Sequence, residues 1–255
     1  MIKAAEKAAK SLKRDFGEVE HLQISRKGPA DFVSNADLES QRILREELSK
    51  ARPTFGFLME EKDNAVDTSS KPERWIVDPL DGTTNFLHGL NHWAISIAAE
   101  KDGEIVAGVV CDPIKDEMFW AEKGIGAYNN NNRLRVSARK DLADCLLATG
   151  VPFKGIMDSN PKFLQQMNAV MHKISGIRRF GAAALDLAYV AAGRYDGYWE
   201  MGLQPWDVAA GILIVKEAGG FIAPFVPKEN LVTSGSLIAT NSPIHDELVQ
   251  LLRSA

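Results

Sequence analysis

A strand that runs directly into a cluster of oxygen donors must bury its first half and deliver its second half to one place. Residues 75–86, WIVDPLDGTTNF, have that form. Trp75, Ile76 and Val77 carry strand preference. Pro79 lacks the N–H that a ladder needs and biases Asp78 towards an extended backbone, so the strand is expected to end with the Asp78 carboxylate exposed. Asp81 follows, then Gly82, whose missing side chain lets backbone N–H groups approach an anion closely. If TTNFLHG opens a helix, the N–H groups around Gly82, Thr83 and Thr84 converge and the helix dipole favours a phosphate there. The same residues also suit an ordinary turn with threonine caps, because Asp, Pro and Gly are common turn formers.

Further carboxylates fall at boundaries of this kind. Glu60 and Glu61 close the apolar run FGFLMEE, Asp37 stands at the start of a helical pattern in DFVSNADLESQRILREELSK, and Asp207 opens the apolar segment WDVAAGILIV. An exposed charge pair is the plainer reading of the two glutamates taken alone, and a helix cap serves equally for Asp207. Residues 93–137 alternate short strand-like runs with KDG, DPIKD, GIG and NNNN, which predicts an antiparallel meander. Beyond about residue 138, short apolar runs alternate with helical patterns, as in a second α/β lobe. No flexible linker separates residues 1–137, an α+β lobe, from residues 138–255, an α/β lobe, so the two are expected to pack intimately with a site at their junction.

Composition narrows the ligand. The 255 residues supply a large core, and 34 acidic against 30 basic residues leave a formal charge of -4. That charge gives no general reason to bind nucleic acid or an anionic membrane, so an anionic substrate needs locally organised positive charge. Cys111 and Cys145 are too few for a disulfide framework or a four-thiolate zinc site. The start, MIKAAEKAAKSLKRDF, is basic and amphipathic, but Glu6 and Asp15 favour an ordinary first helix over a transit peptide. No run of about 18 apolar residues occurs, so a cytoplasmic protein without a membrane span is expected. His88 and His92 have zinc-like spacing, yet Gly89 interrupts them and no HExxH pattern is present. With no GxSxG, P-loop or DFG, attack by an activated water is favoured over a covalent nucleophile.

DFVSNAD at 31–37, the acidic pair at 60–61, residues 75–86, GAAALDLAYVAAGRYDGYWEMG at 181–202 and WDVAAGILIVKEAGG at 206–220 together resemble the inositol monophosphatase family of metal-dependent, lithium-sensitive sugar phosphatases. The resemblance covers nearly the whole chain. It implies an α/β (α+β) fold, a layered α-β-α-β-α sandwich, and a homodimer. It also implies a Mg2+-dependent phosphomonoesterase that hydrolyses inositol monophosphate, a small polyol phosphate, to inositol and phosphate. By the same resemblance two to three Mg2+ ions occupy the site. Glu60, Asp78 and the Leu80 carbonyl hold one, Asp78, Asp81 and Asp207 hold a second, and a looser third lies near Glu60. All are hard oxygen donors, as Mg2+ requires.

Catalytic roles then fall on Glu60 and on Asp37 and Thr83, which orient or deprotonate the attacking water; phosphate falls to the Gly82 and Thr83 N–H groups. The resemblance also implies that Glu200 binds polyol hydroxyls and that Ala183 supplies backbone and shape, although Glu200 also reads as a solvated strand end. Met59, Ala182, Gln204 and Pro205 depart from common family residues and bear on loop mobility and the polyol pocket. Relatives acting on fructose bisphosphate, histidinol phosphate or nucleotide 2'- or 3'-phosphates share the metal centre, and a regulatory scaffold that keeps the metal site is a further alternative.

Overall fold

The computed structural model describes residues 1–16, 24–28, 31–61, 70–152 and 161–255, with backbone alone at 24–28 and 31–34. Ala4, Ala5, Ala8, Ala9 and Leu12 recur on one helical face and are buried, so the N-terminal segment forms α1, Ile2–Phe16. A short antiparallel pair, β1 (Ile24–Gly28) and β2 (Asp31–Ser34), leads into α2 (Asn35–Ala51), which packs on α1 through Leu44 and Leu48.

Two sheets follow. The first has seven strands in chain order: β3 (Gly56–Met59), β4 (Glu73–Asp81), β5 (Ala94–Lys101), β6 (Glu104–Asp112), β7 (Glu117–Glu122), β8 (Gly126–Asn129) and β9 (Asn132–Arg133). Only β3 and β4 are parallel; from β4 onward the strands form the antiparallel meander that the turn residues predict. The five-residue helix α3 (Thr83–Leu87) interrupts this sheet between β4 and β5.

The second sheet comprises β10 (Leu146–Thr149), β11 (Gly176–Arg178), β12 (Gly197–Glu200), β13 (Phe221–Pro224) and β14 (Leu237–Thr240), in the order β11-β10-β12-β14-β13. Helices α4 (Phe163–Met171), α5 (Ala183–Ala191), α6 (Pro205–Glu217), α7 (Leu231–Ser234) and α8 (His245–Ser254) alternate with these strands.

Among the described residues three apolar cores lie between five layers, the central one packing on both sides of α5 and α6. Alternation along β4 sends Trp75 and Val77 to the α1–α2 face and Ile76 to the opposite face, where α5 and α6 lie. Those two helices bury Leu185, Leu187, Val208 and Ile214 between the sheets, so α6 is apolar nearly all round. On the second sheet Tyr198 faces α5 and α6, while Leu147 and Trp199 face α4 and α8. The result is an α-β-α-β-α sandwich.

One expectation fails at the end of β4. The strand does not stop at Asp78 but runs to Asp81 with a register irregularity between the two, and the Asp78 residue is 2% exposed. Pro79 removes one ladder donor, yet its carbonyl accepts Ser40 Oγ at 2.8 Å, and the Leu80 N–H donates to Asp78 Oδ1 at 2.9 Å. The polar backbone is satisfied from α2 and from the strand's own side chain, so the segment can be buried.

Candidate active site

Helix α2 organises the end of β4. Asp37, Ser40 and Gln41 lie at i, i+3 and i+4 on one helical face, and all three are buried. Ser40 holds the Pro79 carbonyl. Gln41 clamps the next strand end from both directions: its Nε2 donates to Glu61 O at 2.8 Å, and its Oε1 accepts the Glu61 N–H at 3.2 Å. The Glu60 N–H donates to Val77 O at 3.3 Å, which sets Glu60 beside Asp78. Thr83 Oγ1 lies 3.1 Å from Asp37 Oδ1 and 3.1 Å from Leu80 O, so its single proton chooses between them.

The other wall comes from α5, β12 and α6. Asp81 Oδ2 accepts the Ala184 N–H at 2.8 Å, and Ala183 begins α5 as a buried residue. Asp207 lies in the first turn of α6, where its Oδ2 accepts the Gln204 N–H at 2.8 Å. It therefore caps the helix and faces the acidic cluster at once, which joins its two sequence readings. Glu200 ends β12 with its Oε2 accepting the Tyr198 hydroxyl. Gly82 adopts φ 87°, a left-handed conformation, and a side chain there would stand 3.2 Å from the His92 carbonyl and 3.3 Å from Ala182 Cβ.

Burial and like charge act together on these acids. Burial first, then Glu60, Asp81 and Asp207, push the Asp78 carboxyl well above its ordinary range. Asp81 is raised by burial and by Asp207, against the opposing Ala184 N–H. Asp207 is pushed up to about 7, chiefly by burial, with Glu60 and Glu200 adding and the Gln204 N–H opposing. Asp78 thus lies beside both Glu60 and Asp207. Carboxylates this close stay together only by sharing protons or by sharing cations. Among the described residues no three acidic, histidine or cysteine side chains already enclose one point in ligand geometry. The donors nevertheless suit a hard cation: Asp78, Asp81 and Asp207 each have one oxygen fixed by a backbone N–H, and among the described residues no basic side chain is hydrogen-bonded to any of them.

The structure thus gathers Asp37, Glu60, Asp78, Leu80, Asp81, Gly82, Thr83 and Asp207 around the end of β4, and brings Ala183 and Glu200 to its edge from the second half of the chain. Several contributors escaped the sequence reading. Asn85 Nδ2 donates to His92 O and Phe180 O, each at 2.7 Å, tying α3 to the segment that precedes α5. Asp186, inside the apolar run AALDLAYV, is 1% exposed, and neither of its oxygens has a hydrogen-bond partner among the described residues. Burial, Glu200 and Asp81 raise its carboxyl well above the ordinary range. A lone acid within an apolar helix, and the i, i+3, i+4 spacing of Asp37, Ser40 and Gln41, were the available signals. His92 is buried against Phe180 and Tyr189, with its pKa lowered to about 4 by burial and Lys115, whereas His88 is exposed.

Comparison with known proteins gives consistent results. The sequence profile of the Inositol monophosphatase family matches residues 1–255. An inositol-1-monophosphatase of Caulobacter vibrioides is 51% identical, with all of each chain covered. Another, from Rhizobium meliloti, is 52% identical over 99% of this chain and 94% of its own. Among solved structures, the extragenic suppressor protein suhB from Bartonella henselae superposes with a TM-score of 0.94 at 53% identity, covering 100% of this chain and 97% of that one. A further relative, from Pseudomonas aeruginosa, is named Nus factor SuhB and is 39% identical over 99% of this chain and 94% of its own.

Proposed function

The chain belongs to the inositol monophosphatase family, and from that premise we propose that it is a Mg2+-dependent phosphomonoesterase that hydrolyses inositol monophosphate to inositol and phosphate. The observation that carries this reading is the convergence of Glu60, Asp78, Asp81 and Asp207 beside the Thr83–Asp37 pair. A solvated charge cluster does not explain Asp78 and Asp81, which are buried, or the backbone N–H that orients each of the Asp78, Asp81 and Asp207 carboxylates.

Glu60, Asp78, the Leu80 carbonyl, Asp81 and Asp207 would hold the Mg2+ ions, two to three by family resemblance. When bound, these ions lower the pKa of water and offset the negative charge that develops on the ester. Thr83 Oγ1, accepted by Asp37, orients the attacking water, and Asp37 takes up its proton. The Gly82 and Thr83 N–H groups bind phosphate oxygens; the close packing of Gly82 on Ala182 and the His92 carbonyl keeps that turn in place. Glu200, an acceptor anchored by Tyr198, receives polyol hydroxyls, and Ala183 shapes the same edge.

Phosphate release from inositol 1-phosphate, fructose bisphosphate, histidinol phosphate and nucleotide 2'- and 3'-phosphates, with and without Mg2+, tests the assignment. It requires Mg2+-dependent release with inositol 1-phosphate preferred; release that survives chelation, or preference for another ester, overturns it. The reading includes a homodimer and a cytoplasmic setting, for which sedimentation of the purified chain and fractionation of its host are the tests. Among the described residues no helix is long and apolar enough to cross a membrane. Relatives named Nus factor SuhB favour a second, regulatory role on the same scaffold. The two roles are compatible, and a variant without hydrolysis separates them.

A further inference from the structure

Strands β10 and β12 run parallel, with Ala148 beside Tyr198 and Thr149 beside Trp199. Thr149 Oγ1 donates to Trp199 O at 2.8 Å and fixes this register. One residue further on, Gly150 comes beside Glu200. Ala148 and Tyr198 both face α5 and α6, so alternation puts Gly150 and Glu200 on that same face, the one that carries the acidic site.

The fit there is extreme. A Cβ on Gly150 would overlap Cδ and both Oε atoms of Glu200, so only glycine coexists with the carboxylate in its observed position. Backbone freedom is not the reason for this glycine, because Gly150 is not among the residues with positive φ. Tyr198 meets the same carboxylate by donating its hydroxyl to Oε2. Glu200 is thus held between a hydrogen-bond donor and a backbone with no side chain. The overlapping atoms are the far end of a flexible side chain, so adding a methyl group at Gly150 displaces the carboxylate before it displaces any backbone.

We propose that Gly150 is a specificity-determining positioning residue: its missing side chain forms the slot in which the Glu200 carboxylate lies to receive the hydroxyls of a polyol phosphate. The proposal rests on the reading of Glu200 as the hydroxyl acceptor. The atoms nearest to a Cβ at Gly150 all belong to Glu200, so Gly150 acts through that side chain. Discrimination should therefore change through KM for the polyol ester, because a displaced acceptor loses a charge-assisted hydrogen bond to the substrate.

The test compares the wild-type chain, Gly150→Ala, Glu200→Ala and the double variant in Mg2+, using inositol 1-phosphate and an aryl phosphate without ring hydroxyls. The ratio of the two kcat/KM values is the readout, and thermal unfolding of each variant reports its fold. Gly150→Ala is expected to lower the ratio about tenfold or more, mainly through KM for inositol 1-phosphate. In the Glu200→Ala background the same substitution should change the ratio little, since no side chain remains to be displaced. If Gly150→Ala alone fails to fold, the double variant must fold as Glu200→Ala does.

Failure of the proposal is separable from failure of the functional reading. A wild-type chain without preference for inositol 1-phosphate, or a Glu200→Ala variant that keeps the wild-type ratio, overturns the reading of substrate or of Glu200, and this inference with it. A Gly150→Ala variant that keeps the ratio while Glu200→Ala loses it overturns the slot alone. So does an equal loss in both backgrounds, or a double variant that remains unfolded, because either marks a backbone effect.

Discussion

Asp81 and Ala184 join the two halves of the chain: Asp81 Oδ2 accepts the Ala184 N–H at 2.8 Å, a bond between residues 103 apart in sequence. Through it the end of β4 and the first turn of α5 share one carboxylate, whose other oxygen is left for the cluster formed with Asp78 and Asp207. An amide in its place keeps an acceptor for Ala184 but is a poorer ligand for a hard cation. Asp81→Asn should therefore fold as the wild type does and lose hydrolysis by about a hundredfold or more. Asp207→Asn should behave alike from the other wall. Circular dichroism and Mg2+ titrations of turnover check this; near-normal rates at saturating Mg2+ in either folded variant would contradict the ligand assignment.

Glu200→Gln separates recognition from chemistry. The carboxylate accepts only, whereas the amide both donates and accepts, so a hydroxyl-binding site is mismatched while the water-activating pair of Asp37 and Thr83 is untouched. Turnover of inositol 1-phosphate should fall about tenfold more than that of an aryl phosphate. Steady-state kinetics on the two esters decide it, and equal losses would remove Glu200 from substrate selection.

The acidic cluster should make the chelated protein lose stability as pH rises towards neutrality. Asp207 is raised to about 7 from 3.8, and Asp78 and Asp81 are raised as well. For an acid whose pKa is higher in the folded state, the stabilising contribution is complete below the unfolded pKa and is lost as pH rises through the folded value. The melting temperature in a chelator should thus fall as pH rises from about 4 to about 7, from the ordinary aspartate value to the raised value of Asp207, with the neutral burial of His92 a smaller opposing contribution in the lower part of that window. Saturating Mg2+ should largely remove the slope, because the cations favour the charged carboxylates. Calorimetry at several pH values, with and without Mg2+, is the measurement; a chelated protein that gains stability across this window would refute the coupling.

Asn85→Leu tests the brace between α3 and the segment before α5. It leaves the buried His92 carbonyl and the part-buried Phe180 carbonyl without their 2.7 Å donor. Loss of about 1–3 kcal/mol of stability is expected from the unpaired acceptors. Denaturant unfolding measures that loss, and a variant as stable as the wild type would show that the brace is dispensable.

What the sequence determined by itself was local. The apolar run ending in DPLDGTT dictated a buried strand that delivers oxygen donors, since residue type alone sets strand preference, missing donors and available ligands. The turn residues between 93 and 137 likewise set the meander, because strands joined by tight turns pair with their neighbours. Family resemblance carried the order of the layers; periodicity did not. Tertiary structure decided what depends on residues far apart in the chain. Asp78 is buried rather than exposed because Ser40, on α2, supplies the donor that Pro79 O needs. Glu61, half of an apparent surface charge pair, is 6% exposed with its backbone clamped by Gln41. Gly150 carried no local signal at all: its meaning is the carboxylate of Glu200, which reaches it only because two strands pair in parallel with one particular register. Local patterns encode period and backbone preference, whereas the shape of a site is set by which side chains meet across strands and layers, and that is fixed only when the whole core packs.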